Sequence, residues 1–426
     1  MHKKTFPGVL VWGMTTVAMS VPGFAADTSS SVALQTAQTS DQQPAAAAEQ
    51  PAAPTAMTTP AMSGPLVANP NPMSVDAGFL GPVYITGTVS GLEFVQSNKF
   101  PDQQHTQVSL SNGQVFLQKT DGLFQYFVDV GAYTFPALGA PYFSTGTTVG
   151  DFFGPVPVAY AKLAPTDSLY VQAGKLPGLV GVEGPFTFQN MNIERGLLWA
   201  QEPIIGRGAQ VGYTQGPLAF ALQWTDGFYS NRYTWLTGSA TYTIDPANSF
   251  VLAAGGNLAH TTKVTTTTPF FQTTAVPLFQ NNETLVSLAY TYNAAPWTIT
   301  PYFQYTHVPT ASSIGAFSSA STIGGAILAN YTFADDSVLH GFSLPARFEY
   351  IGSTGSVGSG SPNLLYGPGS SAWSITFTPT FQYKIFFART EFSYVGTTST
   401  TQGLAFGPNG TSTSQTRGML EVGVLF

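Results

Sequence analysis

From about residue 76 to the end of the chain, apolar and polar positions alternate with a period of two, in runs of around ten residues. Phe124, Tyr126, Val128 and Val130 share one face, with Gln125 and Asp129 on the other. Trp373, Ile375 and Phe377 alternate with Ser374, Thr376 and Thr378. Phe386, Ala388 and Phe392 alternate with Phe387, Arg389 and Glu391. In the last run Leu420, Val422, Val424 and Phe426 lie on one face, and Arg417, Met419 and Glu421 on the other. Successive side chains of a strand point to opposite faces, so these runs predict strands with one apolar and one polar side.

Turn residues separate the runs in a short–long rhythm. Short connections fall at 119–122, 164–167, 215–217, 245–248, 294–296 and 334–337, each with Gly, Pro, Asp or Asn. A seventh is expected near 379–382, on the strength of Pro379 alone. Long connections fall near 97–105, 136–154, 177–205, 227–232, 261–282, 310–319, 354–369 and 396–415. Seven short and eight long connections separate sixteen strands, an even number with short turns at one end and longer loops at the other. The expected fold is all-β, a transmembrane antiparallel β-barrel of about 16 strands. Pro301 and Pro345 fall inside strands and remove ladder donors, so bulges or shifted strand ends are expected there.

Composition points the same way. Charged residues are 8% of the 426 and hydrophobic residues 43%; a soluble domain carries about a quarter charged. A helical membrane protein needs runs of about 18 apolar residues, and none follows the N-terminus. Lys3 and Lys4, the apolar stretch Val9 to Met19, and small residues Gly23 and Ala25 read as a secretory signal over 1–25. Without its two lysines the chain has 12 Lys+Arg against 21 acidic residues, a net charge of −9, which disfavours nucleic acid. Residues 26–75 are rich in Ala, Pro, Thr, Gln and Ser. They bury too little apolar surface to offset ordering, and are expected to form a disordered tether. The barrel is then 76–426.

Three stretches resemble the OmpL-like β-barrel porin family. One is Leu110 to Lys119. The second joins Ala159-Tyr160-Ala161-Lys162, Ala173-Gly174-Lys175 and Gly181-Val182-Glu183. The third is Glu194-Arg195-Gly196-Leu197-Leu198, with Glu202-Pro203, Gly206 and Trp224-Thr225-Asp226-Gly227 after it. With weaker likeness around 346–350 and 389–392, the resemblance spans most of 85–426 and leaves out the tether. It implies an outer-membrane barrel and a pore, with no settled substrate. The expected setting is the outer membrane, reached through the periplasm, with membrane lipid and lipopolysaccharide as surroundings and small solutes as cargo. A terminal strand ending in Phe426 resembles the signal read by the outer-membrane assembly machinery. A homotrimer is possible by analogy alone.

The candidate site follows from the third outer loop, 177–205, which joins strands five and six and holds Glu183, Asn190, Asn192, Glu194, Arg195 and Glu202. In general porins the loop at that place folds inward. Here Phe186, Phe188, Leu197, Leu198 and Trp199 also need shelter. Strand parity puts Arg347 with Glu349, Arg389 with Glu391, and Arg417 with Glu421 on the lumen face. They either neutralise one another and brace the wall, or face the loop carboxylates across a constriction with a transverse field. Met419, on the same face, is expected to accept Gln.

An enzyme or a cofactor is not expected. His105, His260, His307 and His340 are isolated, and no pair has metal-ligand spacing. Gly206-Arg207-Gly208 has Val211 where a dinucleotide fingerprint needs its third glycine. Passive diffusion of small hydrophilic solutes is the leading expectation. A structural or adhesive barrel with a plugged lumen, or a barrel lipase or protease, are the alternatives.

Overall fold

The computed structural model describes residues 62–78, 81–101, 103–262 and 277–426. The expected signal and residues 26–61 of the expected tether lie outside them. Sixteen long strands follow in order: β1 (Pro82–Gln96), β2 (Thr106–Lys119), β3 (Phe124–Tyr133), β4 (Ala159–Thr166), β5 (Leu169–Pro177), β6 (Ile205–Gln215), β7 (Leu218–Thr225), β8 (Trp235–Asp245), β9 (Asn248–Asn257), β10 (Thr284–Ala294), β11 (Trp297–Val308), β12 (Ala320–Thr332), β13 (Phe342–Ser353), β14 (Ser371–Phe377 continued by Thr380–Tyr383), β15 (Phe386–Thr398) and β16 (Ser414–Leu425). Each pairs antiparallel with its neighbour in sequence, and β16 pairs with β1 to close the ring. Gly87 and the terminal Phe426 exchange backbone bonds of 2.8 and 2.9 Å at the seam. Closure leaves no strand edge unpaired in lipid, the condition for crossing a membrane with strands.

The alternation of side chains is direct. In β7, Leu218, Phe220, Leu222 and Trp224 are exposed, while Ala219, Ala221, Gln223 and Thr225 are buried. The exposed set faces lipid and the buried set faces the lumen. On β16, Leu420 and Val422 point out, and Arg417, Met419 and Glu421 point in.

Three expectations need correction. First, the turn placed near 379–382 lies at Lys384-Ile385, where Lys384 has φ of 54°. Pro379 only interrupts β14. The register runs through it unshifted, with Phe377 opposite Phe392 and Thr380 opposite Arg389. Second, Pro301 and Pro345 cause no bulge. Pro301 keeps its place opposite Ile327 on β12, and the β10 ladder merely skips from Ala289–Tyr302 to Tyr292–Ile299 without slipping. Pro345 stays opposite Asn330, and its carbonyl still accepts from the Thr378 amide at 2.8 Å. A missing donor removes one bond; it does not add a residue. Third, the tether reading runs too far. Residues 62–78 are structured, with Leu66 only 2% exposed. Met73–Asp76 pairs antiparallel with the first residues of β1. An apolar anchor and a strand partner supply here what the composition lacks elsewhere.

One true bulge bears on the site. The β1–β2 register shifts between Ser90 and Gly91, so Ser111 is an extra residue opposite Ser90. Ser111 and Asn112 then both turn inward, each 0% exposed.

Candidate functional site

The loop between β5 and β6, residues 178–204, lies inside the barrel, against the inner faces of β13 to β16. Its backbone has few internal partners and must find others. The wall provides them. Wall arginines take the loop's carbonyls: Arg389 donates to Thr187, Asn190 and Met191 oxygens at 3.0, 2.9 and 2.8 Å, and Arg347 to Glu194 O at 2.9 Å. Wall carboxylates take its amides. Glu391 accepts from Ile193 N and Glu194 N at 2.5 and 3.0 Å, and Glu349 accepts from Leu197 N at 3.0 Å. Gly196 makes the last contact possible, since a Cβ there would sit 2.1 Å from Glu349 Oε1.

Ion pairs complete the fit. Arg347 pairs with Glu183 of the loop, and Arg417 with Glu194. Arg347 Nε also lies 3.2 Å from Glu349, and Arg389 Nη1 lies 3.6 Å from Glu421. Arg417 reaches a second inward loop, 134–158, donating to Ala137 O and Ala140 O at 3.2 and 3.1 Å. Arg195 joins the two loops. Its Nε and Nη2 donate to Pro136 O at 3.2 and 3.1 Å, and it forms a parallel bridge with Ala137. Glu202 accepts from Tyr302 of β11 at 2.6 Å.

None of these ten charged residues is more than 6% exposed. Loop and wall charges touch; they do not face each other over a gap. The geometry is that of bracing. Four arginines stand against six glutamates, and burial relieves the excess. It raises the Glu183 carboxyl, against the pull of Arg347. It pushes Glu202 up to about 8, with only partial relief from the Tyr302 hydroxyl. Desolvation lowers the Arg195 guanidinium to about 10.

Polar residues that the sequence reading passed over finish the network. Glu421 accepts from Thr187 Oγ1 at 2.6 Å and Ser90 Oγ at 3.1 Å. Asn112, turned inward by the bulge, donates to Thr187 Oγ1 at 2.6 Å. Thr378, Ser374 and Ser393 donate to Glu391, Glu349 and Glu194 at 2.7, 2.9 and 2.7 Å. Ser and Thr are too common in this chain to single these out; the break in alternation at Ser111-Asn112 was the one visible signal. The loop's apolar residues are sheltered too. Phe186, Phe188 and Trp199 join a cluster with Phe116, Phe127 and Phe387 of the wall. Met419 packs with Ile193, Leu92 and Phe94, so a glutamine there would lie in an apolar pocket, contrary to expectation. Phe426 sits at the seam, outside this network.

A closed sixteen-stranded barrel with a long loop folded against its inner wall defines the class of outer-membrane porins. The family follows from the sequence: a model described as "Putative beta-barrel porin-2, OmpL-like" matches residues 82–426, and the chain belongs to that family. Among solved structures, the chain is similar to an anion-selective porin from Comamonas acidovorans, at 12% identity and a TM-score of 0.51, covering 81% of this chain and 99% of that one. It is similar to OmpF of Salmonella typhi in complex with daunomycin, at 12% identity and a TM-score of 0.52, covering 83% and 100%. It is also similar to the outer membrane channel DcaP of Acinetobacter baumannii, at 10% identity and a TM-score of 0.52, covering 81% and 97%. At these identities the likeness is one of fold. No curated protein matches the chain. Family and fold are those of an outer-membrane channel rather than an enzyme.

Proposed function

We propose that this porin lets small hydrophilic solutes cross the outer membrane by passive diffusion, and that the 178–204 loop sets the narrowest point of the path. The carrying observation is the one-sided docking of that loop. Its ion pairs with the wall go to Arg347 of β13 and Arg417 of β16, whereas β7 and β10 present small uncharged residues inward, among them Ala219, Ala221, Ser287 and Ala289. A path between the loop and that wall meets hydroxyls, amides and methyl groups, and favours uncharged polar solutes such as small sugars. Export through the periplasm behind the 1–25 signal belongs to this reading.

An assembly of three copies belongs to it as well. The outward residues of β16 and β1 include Gly418, Val422, Val89 and Gly91, small enough for close packing. Those of β13 and β14 include Phe348, Tyr350, Trp373 and Phe377, suited to lipid. A monomeric mass in mild detergent would remove the trimer from the proposal.

The test of the pore is a planar bilayer. Deleting 184–199 is expected to raise single-channel conductance markedly; unchanged conductance in folded barrels would place the loop away from the constriction. A plugged structural or adhesive barrel is the rival, supported by the dryness of the charged network. Silent bilayers with well-folded protein would favour it.

A further inference from the structure

We propose that residues 62–67 are an inhibitory strap, a piece of this chain that enters the barrel from the end bearing the short turns and closes its mouth beneath the inner loop. The proposal rests on the porin reading above.

The strap meets the inner loop first. Ser63 N and Ser63 Oγ both donate to Gln189 O, at 2.7 and 3.1 Å. Gly64 passes so close that a Cβ would lie 2.3 Å from Asn190 O, which only glycine avoids. Leu66 then inserts into the apolar cluster that holds Phe116, Phe127, Phe387 and Leu425, and Met62 packs against the same cluster. Each of those four wall residues lies within three residues of its strand's turn end: β2 stops at Lys119, β3 starts at Phe124, β15 starts at Phe386 and β16 stops at Leu425. The cluster runs on from there to the inner loops, and these four residues form its turn-side end. At the rim, the Gln382 amide brackets Val67, accepting from its N at 2.7 Å and donating to its O at 2.8 Å.

The strap is held at few points. Apart from Leu66 and Met62, its hold is two bonds to one carbonyl and one amide bracket. Wall strands are bonded along their whole length, so the strap can leave without opening the barrel. It cannot go far, because Met73–Asp76 is paired to β1 only a few residues later. That short link keeps its local concentration high and makes the inserted state the resting one. The sequence before residue 62 is the Ala/Pro-rich stretch, and binding to it is the input that would withdraw the strap.

The experiment uses the absence of cysteine from the chain. Ser63→Cys with Gln189→Cys places two thiols at residues joined by a backbone bond, a separation a disulfide can span. Folded protein is reconstituted in planar bilayers in oxidised and reduced form, beside a deletion of 26–67 that keeps 1–25, and beside Leu66→Ala. The expected results are efficient cross-linking, lower conductance in the oxidised than in the reduced form, and the highest conductance in the deletion. Leu66→Ala should shift the inserted-to-withdrawn ratio by about tenfold or more, seen as longer open times. No cross-link, or equal conductance in all four preparations, would overturn the strap and leave the porin reading standing. Silence in every protein, the folded deletion included, would overturn the porin reading and the strap with it.

Discussion

Two regions of the inner wall differ in kind. On β13, β15 and β16, Arg347, Glu349, Arg389, Glu391, Arg417 and Glu421 point inward, and every one of them is engaged with a loop or with a neighbour. On β7 and β10 the inward residues are Ala219, Ala221, Gln223 and Thr225, and Leu285, Ser287, Ala289 and Thr291, none of them charged. The difference separates two jobs that a charged lumen can do. In a chain with 8% charge, these charges hold a loop in place. The backbone of a long inward loop needs strong, directional partners, and a guanidinium can take several carbonyls at once. The inward residues of β7 and β10 carry no charge for that task.

Matched substitutions in the two regions give the largest expected contrast. Arg389→Met strips three loop carbonyls of their donor and leaves Glu421 without its arginine. Removing one partner of such a buried pair costs about 3–5 kcal/mol. Gln223→Met removes bonds to Pro177 O and Gln210 Oε1, at about 0.5–1.5 kcal/mol each. Thermal unfolding in detergent should rank the first variant well below the second, and its channel should be noisier as the loop detaches. Equal losses would mean that the charged region does not hold the loop.

The neutral region should respond in permeation instead. Ala221→Trp adds a large side chain to the proposed path without touching the charged network. Liposome swelling in a neutral sugar should slow severalfold at most, with the melting temperature little changed. An unaltered swelling rate would move the path away from β7.

The strand count was legible because it depends on repetition. Sixteen alternating runs survive errors in any one of them, and Gly, Pro, Asp and Asn mark nearly every turn. The misplaced turn shows the limit. Lys384 adopts a left-handed conformation without being Gly, Asn or Asp, so the nearby proline drew the boundary instead. Facing could be read on β16 from parity alone, but parity says nothing of what fills the lumen. Met419 points inward as its position requires, and yet it meets Ile193 rather than water. The contact between Arg389 and the loop spans about 200 residues of chain, and no local pattern encodes it. The strap was hidden by composition. One leucine in a stretch of Ala, Pro and Thr looks like noise until its pocket is seen.

The smallest expected effect is a pH dependence at the foot of the inner loop. Glu202 is 2% exposed and its carboxyl is pushed up to about 8, mainly by burial, with the Tyr302 hydroxyl pulling the other way and the charges of Glu183 and Glu349 adding to the rise. In the unfolded chain a glutamate titrates near about 4.3. Between those values the folded barrel binds a proton that the unfolded chain has released, so stability falls as pH rises across that window. The contribution is whole below the unfolded value and lost once pH passes through about 8. Glu202→Gln keeps a neutral side chain that can still accept from Tyr302 Oη. Its melting temperature should therefore change less than that of the unaltered protein between pH 5 and pH 9, by about the share one carboxyl contributes. Parallel curves for the two proteins would show that Glu202 is already ionised at neutral pH, and that the six carboxylates of the network are balanced by something other than protonation.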